Sequence, residues 1–226
     1  MKLLAIDTST ELASVAITVR GEMLCDEQMG IRQHAQLLLP MIQQLLARAE
    51  LSLRQLDAIV FGRGPGSFTG LRIACSVAKG LAYAHDLPLF PVSSLAAIAN
   101  EIYHTDGLRP AEASVLTLID ARMHQVYWGC FTKSGFNAQE QVTSAADVRL
   151  PTVSTPIILA GVGFESYASQ LPEVVQSKIV KQCSVFPKAS AMIRIVQDGQ
   201  MEMVNALEAL PVYVRNQVTQ GEKSSG

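Results

Sequence analysis

The feature that most constrains this chain is an internal repeat that divides its 226 residues into two similar halves. Segments 3–19 and 116–132 both open with an apolar strand ending in Ile-Asp, pass through a short turn and enter an alternating strand. Asp7 and Asp120 close the two opening strands and lie 113 residues apart, half the length of the chain. Self-similarity at this spacing predicts two related lobes.

The boundary between the lobes follows from a polar stretch, residues 104–113, which contains both glycine and proline. We predict a first lobe over 1–104, a second, reduced lobe over 114–218 and a disordered tail over 219–226. Buried strands and amphipathic helices alternate in both lobes, so the fold class is α/β.

The apolar patterns place strands and helices along the chain. The expected strands are Leu3–Ile6, Leu12–Val19, Met23–Gln28, Leu56–Gly62, Leu87–Val92 and Pro156–Ala160. The expected helices are Gln33–Ala49, a second from the glycine-rich turn to about Ala84, Ser93–Tyr103, and two near Phe164–Leu171 and Ala189–Asp198.

The first two helices have more apolar surface than one sheet requires. Apolar side chains of the first helix cover about 200° of arc, whereas packing on one sheet takes a little over 100°. The second helix carries a row of small residues with a period of four, Gly70, Ala74, Ala78 and Ala82, which permits close approach of another element. Two explanations remain open: a surface that a partner covers, or a helix pair buried inside one core.

Composition excludes several classes of protein. Hydrophobic residues make up 49% of the chain and charged residues 17%, which is too apolar for a disordered chain. The net charge of −2 argues against tight independent binding of nucleic acid. Runs free of charged residues reach about 15 residues, short of a membrane span, and no signal peptide is recognisable. We therefore expect a cytoplasmic protein that does not bind membranes.

Metal and nucleophile motifs are not found. The four cysteines and four histidines show neither Cys-x-x-Cys nor paired-histidine spacing, so we expect no metal. No Gly-x-Ser-x-Gly elbow is present, which disfavours a hydrolase.

Two turns are candidates for binding phosphate. Residues 62–72, GRGPGSFTGLR, fit neither the Walker A loop nor the dinucleotide fingerprint. Gly64 and Gly66 nevertheless precede a helix whose N-terminus can hold an anion, the alternative being a tight, well-capped turn. The side chains of Asp7, Thr8 and Ser9 can orient hydrated magnesium and contact phosphates. Alternatively, these residues form a polar turn whose side chains hydrogen-bond to local backbone amides.

Four segments together resemble the bacterial TsaB family, also called YeaZ. They are AIDTSTELASVAI (5–17), GRGPGSFTGLRIACSVAKGLA (62–82), PVSSLAAIA (91–99) and IDARMHQVYW (119–128). The resemblance implies an actin/Hsp70/sugar-kinase-like (ASKHA) fold and a role in making threonylcarbamoyladenosine (t6A) in tRNA. It implies a non-catalytic subunit that pairs with the transferase TsaD, with the ATPase TsaE completing the assembly and tRNA bound only through the complex. Alone, the chain would form a homodimer.

Departures from the TsaD pattern favour the non-catalytic interpretation. The two metal-binding histidines of TsaD correspond to Ser94 and Ile98 here, and its second phosphate turn corresponds to Asp120 and the three residues that follow. We therefore expect Asp7, Thr8, Ser9, Gly64, Gly66 and Asp120 to be a vestigial nucleotide site, with no cofactor of its own and ATP used by the partners.

The resemblance places partner binding on the two long helices of the first lobe. The expected contact residues are Leu37, Leu38, Met41, Leu45, Ala74, Ala78 and Ala82. The alternative functions are an ATP-binding kinase or ATPase of the same fold, and a peptidase.

Overall fold

The computed structural model describes residues 1–30, 33–105, 113–133, 135–136, 138–150, 155–199 and 201–214. The strands of these residues are β1 Leu3–Asp7, β2 Leu12–Val19, β3 Glu22–Met29, β4 Ala58–Gly64, β5 Leu89–Ser93, β6 Ser114–Asp120, β7 Val126–Phe131, β8 Gln141–Thr143, β9 Ile157–Val162 and β10 Ile179–Ser184. The helices are α1 His34–Arg48, α2 Phe68–His85, α3 Ser94–Thr105, α4 Glu173–Gln176 and α5 Ala189–Gln197.

The strands form two five-stranded sheets with the same topology, which confirms the predicted repeat. The first sheet has the order β3-β2-β1-β4-β5 and the second the order β8-β7-β6-β9-β10. In each, the opening strand is central, pairs antiparallel with the second strand of its half and parallel with the fourth. Asp7 and Asp120 end the two central strands at equivalent positions.

Helices and sheets are stacked in layers. Helices α1 and α2 cover the outer face of the first sheet, where Leu38, Leu45 and Phe61 belong to one buried cluster. Helices α3 and α5 lie between the two sheets, and their side chains join both sheets in one continuous core. α5 packs mainly on the first sheet although it follows the second sheet in sequence.

The outer layer of the second sheet is much thinner than that of the first. Between β9 and β10 the described residues form only a 3-10 turn, Ala168–Gln170, and the four-residue helix α4. The prediction of a helix over 164–171 is wrong in extent, because only Ala168–Gln170 form a helical turn there. Leu171 is extended because Pro172 follows it, and this ends the turn. Strand β10, an edge strand with alternate residues exposed, was missed by the sequence patterns.

Residues 201–214, here called the C-terminal strap, return to the first half of the chain. Val204 and Leu89 exchange backbone hydrogen bonds of 2.9 Å, and the Val212 N–H donates to the Arg63 carbonyl oxygen at 2.7 Å. The strap therefore lies along the side of α2. The predicted tail over 219–226 and most of the predicted boundary over 104–113 lie outside the described residues. Among the helices described, none combines the length and apolar character that crossing a membrane requires.

Candidate functional site

The turn after β1 is closed by its own hydrogen bonds. Asp7 and Thr8 are fully buried, and Ser9 is almost so. The backbone N–H and the hydroxyl of Ser9 both donate to Asp7 Oδ1, at 3.0 and 2.8 Å. The Thr8 hydroxyl donates to the carbonyl oxygen of Gly70 at 2.7 Å. The polar atoms of this turn are thus mostly satisfied inside the chain.

The glycine-rich turn after β4 packs directly on this first turn. The Ser67 N–H donates to the Ser9 carbonyl oxygen at 2.7 Å. A methyl group added to Gly66 would collide with the Ser9 carbonyl, and one added to Gly70 with the Thr8 carbonyl. The glycines are therefore required for backbone contact between the two turns. Ser67 caps α2 through its hydroxyl, which accepts from the Gly70 N–H at 3.3 Å.

Asp7 is an exception within this closed arrangement. Its Oδ2 atom is buried and has no hydrogen-bond partner among the described residues. Burial raises the pKa of Asp7 to about 7, an effect that the two hydrogen bonds from Ser9 only partly offset. Oδ2 points towards Gly62, next to the side chain of Met192 on α5. The layer between the sheets therefore seals this carboxylate from solvent.

The equivalent turn of the second half is open. The Asp120 side chain is partly exposed and accepts from the Tyr167 hydroxyl at 3.0 Å and the Arg122 N–H at 2.8 Å. Arg122, Met123 and His124 all have φ between 53° and 63°, in the left-handed region, and all three are exposed. No glycine or hydroxyl residue lies at the tip, so bulky side chains project where a phosphate loop needs backbone access.

These residues do not fit a bound nucleotide. Asp7, Thr8 and Ser9 face the chain's own glycine turn, and Gly64 is buried where an added Cβ would lie 3.1 Å from the Val212 carbonyl oxygen of the strap. Ser94 and Ile98 are also fully buried, in the core between the sheets. Within the described ranges, no group of three or more His, Cys, Asp or Glu side chains could hold a metal ion.

The structure corrects the choice of residues for the partner surface. Leu38, Met41 and Leu45 point from α1 into the first-sheet core, and all are at most 1% exposed. Ala74, Ala78 and Ala82 are equally buried, because their small side chains let α2 lie close to its own sheet. Leu37 is half-buried. Six of the seven side chains therefore hold the lobe together and are not accessible in this structure.

The outward side of α2 has a different set of residues, here called the open helix face: Ile73, Ser76, Val77, Gly80 and Ala84. Ile73 and Val77 are half-buried, and the other three are exposed. A methyl group added to Gly80 would meet no atom within 4 Å. A glycine inside a helix costs about 1 kcal/mol relative to alanine, and the packing of the described residues does not require one here.

Comparison with known proteins identifies the family. A family model described as "TsaD: tRNA N6-adenosine threonylcarbamoyltransferase" matches residues 25–211. The chain is 35% identical to the "tRNA threonylcarbamoyladenosine biosynthesis protein TsaB" of Haemophilus influenzae, over 97% of this chain and 95% of that protein. The protein of the same name from Escherichia coli is 33% identical, over 96% of both chains. The chain belongs to the TsaB family.

A solved structure supports the same assignment. "YeaZ from Pseudomonas aeruginosa" superposes with a TM-score of 0.85 at 39% identity, covering 94% of this chain and 99% of that one. The predicted α/β fold with two related lobes is thereby confirmed. Within this TsaB-family chain, Asp7 and Asp120 lie at equivalent strand ends, as the repeat predicted.

Several ion pairs that join the two halves escaped the sequence patterns. Arg63, beside the glycine turn, donates to both carboxylate oxygens of Glu140, at 2.9 and 3.2 Å. Glu101 on α3 pairs with Arg194 on α5 and, at 3.5 Å, with Lys188. The residues of these ion pairs lie up to 93 positions apart, so no short sequence pattern indicates the pairing. A charged residue inside an apolar helix, as at Glu101, is the one hint available.

Proposed function

We propose that this TsaB-family chain is a non-catalytic subunit in the formation of threonylcarbamoyladenosine in tRNA, and that it binds and activates a TsaD transferase. It uses no cofactor of its own, and ATP is consumed by its partners, including an ATPase of the TsaE type. Transfer RNA is bound by the assembly as a whole. The names of the curated relatives and the match to the transferase family model support this role.

The closed first turn is the observation that carries the non-catalytic part of the proposal. A catalytic carboxylate must reach substrate or metal, but Asp7 is fully buried beneath α5. The neighbouring Ser67 amide donates to the Ser9 carbonyl oxygen and is not available to a ligand. This packing of the glycine turn on the first turn supports a chain that binds no nucleotide there.

The open helix face supports the binding part of the proposal. Ser76, Gly80 and Ala84 recur every fourth residue on the exposed side of α2, so another helix can approach its backbone closely. Beside them, Ile73 and Val77 keep part of their apolar surface in solvent. A partner helix would bury this surface and make use of the glycine that the chain alone does not need. A second copy of the chain would use the same face when the transferase is absent.

Calorimetry with the purified transferase tests this surface. Gly80→Leu places a bulky side chain at an exposed position, where a Cβ atom meets no atom of the described residues within 4 Å. The variant should fold as well as wild type and bind the transferase at least about 100-fold more weakly, because a partner helix can no longer approach. Gly80→Ala should have an intermediate effect, about 10-fold. Unchanged affinity in a folded Gly80→Leu chain would contradict the proposed surface.

Two controls make the result interpretable. Ser166→Leu adds the same side chain to the exposed surface of the second half and should leave the affinity unchanged. Titration of wild type with ATP and magnesium should give no heat of binding. Micromolar ATP binding that Asp7→Ala abolishes would favour the kinase or ATPase alternative over the proposed subunit role.

A further inference from the structure

The C-terminal strap has an unusually apolar outer side. Five large apolar side chains of the strap are exposed: Met203, Leu207, Leu210, Val212 and Tyr213. Phe68 and Tyr83 of α2, which lie beside the strap, are also exposed. Together these seven, here called the apolar strip, are more than half of the thirteen large apolar side chains exposed in the described residues. Concentration of this kind marks an interaction surface.

The strap backbone is fixed, so the apolar strip is held in place. Lys79 on α2 donates to the carbonyl oxygens of Leu207 and Ala209, at 3.2 and 3.0 Å. The Ala209 side chain is buried in the core of the first half. At the end of the strap, the Tyr213 ring lies 5.4 Å from the Phe68 ring, and Arg72 stacks on Phe68. A partner would therefore meet a preorganised surface, which lowers the entropic cost of binding.

The apolar strip is continuous with the open helix face. At about 100° per residue, Lys79 faces the strap, Gly80 points to the side, about 100° from Lys79, and Val77 faces away. Ser76 and Tyr83 lie between these directions and are exposed. A partner seated on the open helix face therefore meets the apolar strip at its edge, with no other element of the described chain between them.

A cleft that can receive a partner side chain lies at one end of the apolar strip. Its volume is about 570 Å³, and its walls come from the C-terminal end of α2, the residues that follow it and the beginning of the strap. Tyr83, Leu87, Pro88, Met203 and Leu207 give it a largely apolar lining. A cleft of this size can receive a large apolar side chain, the kind of anchor that dominates binding energy at protein interfaces.

Area and composition indicate what covers the strip. A stable interface buries about 800 Å² per partner, which the small side chains of the open helix face cannot supply alone. Seven side chains of about 200 Å² each, somewhat more than half exposed, contribute on the order of 800 Å². Residues 215–226 contain Val218 as their one large apolar residue and cannot supply a matching apolar surface. Exposed Phe, Tyr and Met with an arginine match the cores of protein interfaces.

We propose that the transferase partner covers the apolar strip as well as the open helix face, so that the C-terminal strap is part of one continuous interface. The proposal rests on the proposed function, because it assigns a second portion of the surface to the same partner. The partner surface facing the strip is apolar and inserts a large side chain into the cleft.

The affinity of the transferase for strap variants tests this inference. Leu207→Asp combined with Leu210→Asp places two charges in the strip, at positions 78% and 66% exposed. This double variant should bind at least about 30-fold more weakly than wild type and keep its thermal unfolding midpoint. Val174→Asp with Val180→Asp is the matched control, because these side chains are 71% and 65% exposed on the second half. The control should bind within about twofold of wild type.

The outcomes separate the two proposals. No binding by wild type would overturn the proposed function itself. Loss of binding in Gly80→Leu together with wild-type affinity in the strap double variant would overturn only the present inference. Loss of self-association in the double variant, with transferase binding intact, would assign the strip to a second copy and overturn the inference equally.

Hydrogen exchange supplies a measurement that needs no substitution. Amides of residues 203–213 that exchange in free wild type should gain protection when the transferase is added. Protection confined to α1 and α2 would contradict the extension of the interface onto the strap, whatever the stability of the variants.

Discussion

The two halves of this chain share one strand pattern and differ in the outer layer that covers it. Both sheets have a central opening strand with an antiparallel hairpin on one side and parallel strands on the other. The first sheet carries the long helices α1 and α2 on its outer face, and the corresponding part of the second half has short turns and α4. The repeat therefore determines the two sheets, whereas the surfaces available for binding depend on the helices and turns that connect the strands.

The turns after the central strands differ in the same way. The first is buried against the glycine turn, and Asp7 is sealed beneath Met192. The second is exposed, and its aspartate is held by Tyr167 and Arg122. One half has thus closed the position where the fold could bind phosphate, and the other has filled its turn with bulky side chains.

The largest expected effect concerns the outer layer of the first half. Leu38→Ala should lower the free energy of unfolding by about 2–5 kcal/mol, because Leu38 is fully buried between α1 and the first sheet. Leu39→Ala, at an adjacent side chain that is 47% exposed, should change it by less than about 0.5 kcal/mol. Urea denaturation checks both. Equal effects would contradict the assignment of buried and exposed sides of α1.

The second prediction contrasts the two turns. Gly70→Ala should destabilise the chain by about 3 kcal/mol, because the added methyl group collides with the Thr8 carbonyl. Met123→Ala, at the exposed second turn, should be within about 0.5 kcal/mol of wild type. A fully stable Gly70→Ala chain would mean that the first turn is open enough to admit a ligand.

The third prediction is a pH dependence that arises from the sealed turn. The pKa of Asp7 is about 7 in the folded chain, against 3.8 for the unperturbed group. The folded state therefore binds more protons than the unfolded state between these values, and stability falls as pH rises from about 4 to about 7. The loss should amount to a few kcal/mol. Asp7→Asn should remove this part of the slope, as urea midpoints across the pH range would report.

The fourth prediction concerns the link between the halves. Arg63→Ala and Glu140→Ala should each destabilise the chain, and the double variant should lose less than the sum. We expect a coupling energy of about 1–2 kcal/mol, reduced by solvent screening because the Arg63 side chain is 24% exposed. Additive losses in the double-mutant cycle would show that the ion pair does not join the halves.

The smallest expected effect comes from the exposed glycine of α2. Gly80→Ala should raise the free energy of unfolding by about 0.5–1 kcal/mol, because alanine favours the helix and the added methyl group meets no atom. Thermal unfolding of the free chain measures this gain. A destabilised variant would indicate packing around Gly80 that the free chain does not show.

Sequence patterns predicted the sheets well and the partner surface poorly, for physical reasons. Apolar runs that end in Ile-Asp identify buried central strands, since both faces of such a strand are covered and the polar residue marks the strand end. Small residues at Ala74 and Ala78 permit close approach on any side. They do not reveal that the element approached is the chain's own sheet, so the buried side of α2 was assigned to a partner.

The strap and the ion pairs could not be predicted because their signals are not local. The apolar residues Met203, Leu207 and Leu210 are spaced as in a helix, but this segment forms none, and its position depends on backbone bonds to Leu89 and Arg63 far away in sequence. The closed first turn likewise depends on contact between Ser9 and Gly66. The sequence provided the residues of that turn and left open whether they face a ligand or each other.

Reconstituted transfer of threonylcarbamoyl to tRNA tests the proposal that this chain contributes a binding surface and no chemistry. The reaction should be measured with the transferase and its ATPase partner, with and without this chain. Transfer should require the chain, be retained with Asp7→Asn and be lost with Gly80→Leu. Full transfer without the chain, or loss of transfer with a folded Asp7→Asn chain that still binds the transferase, would contradict it.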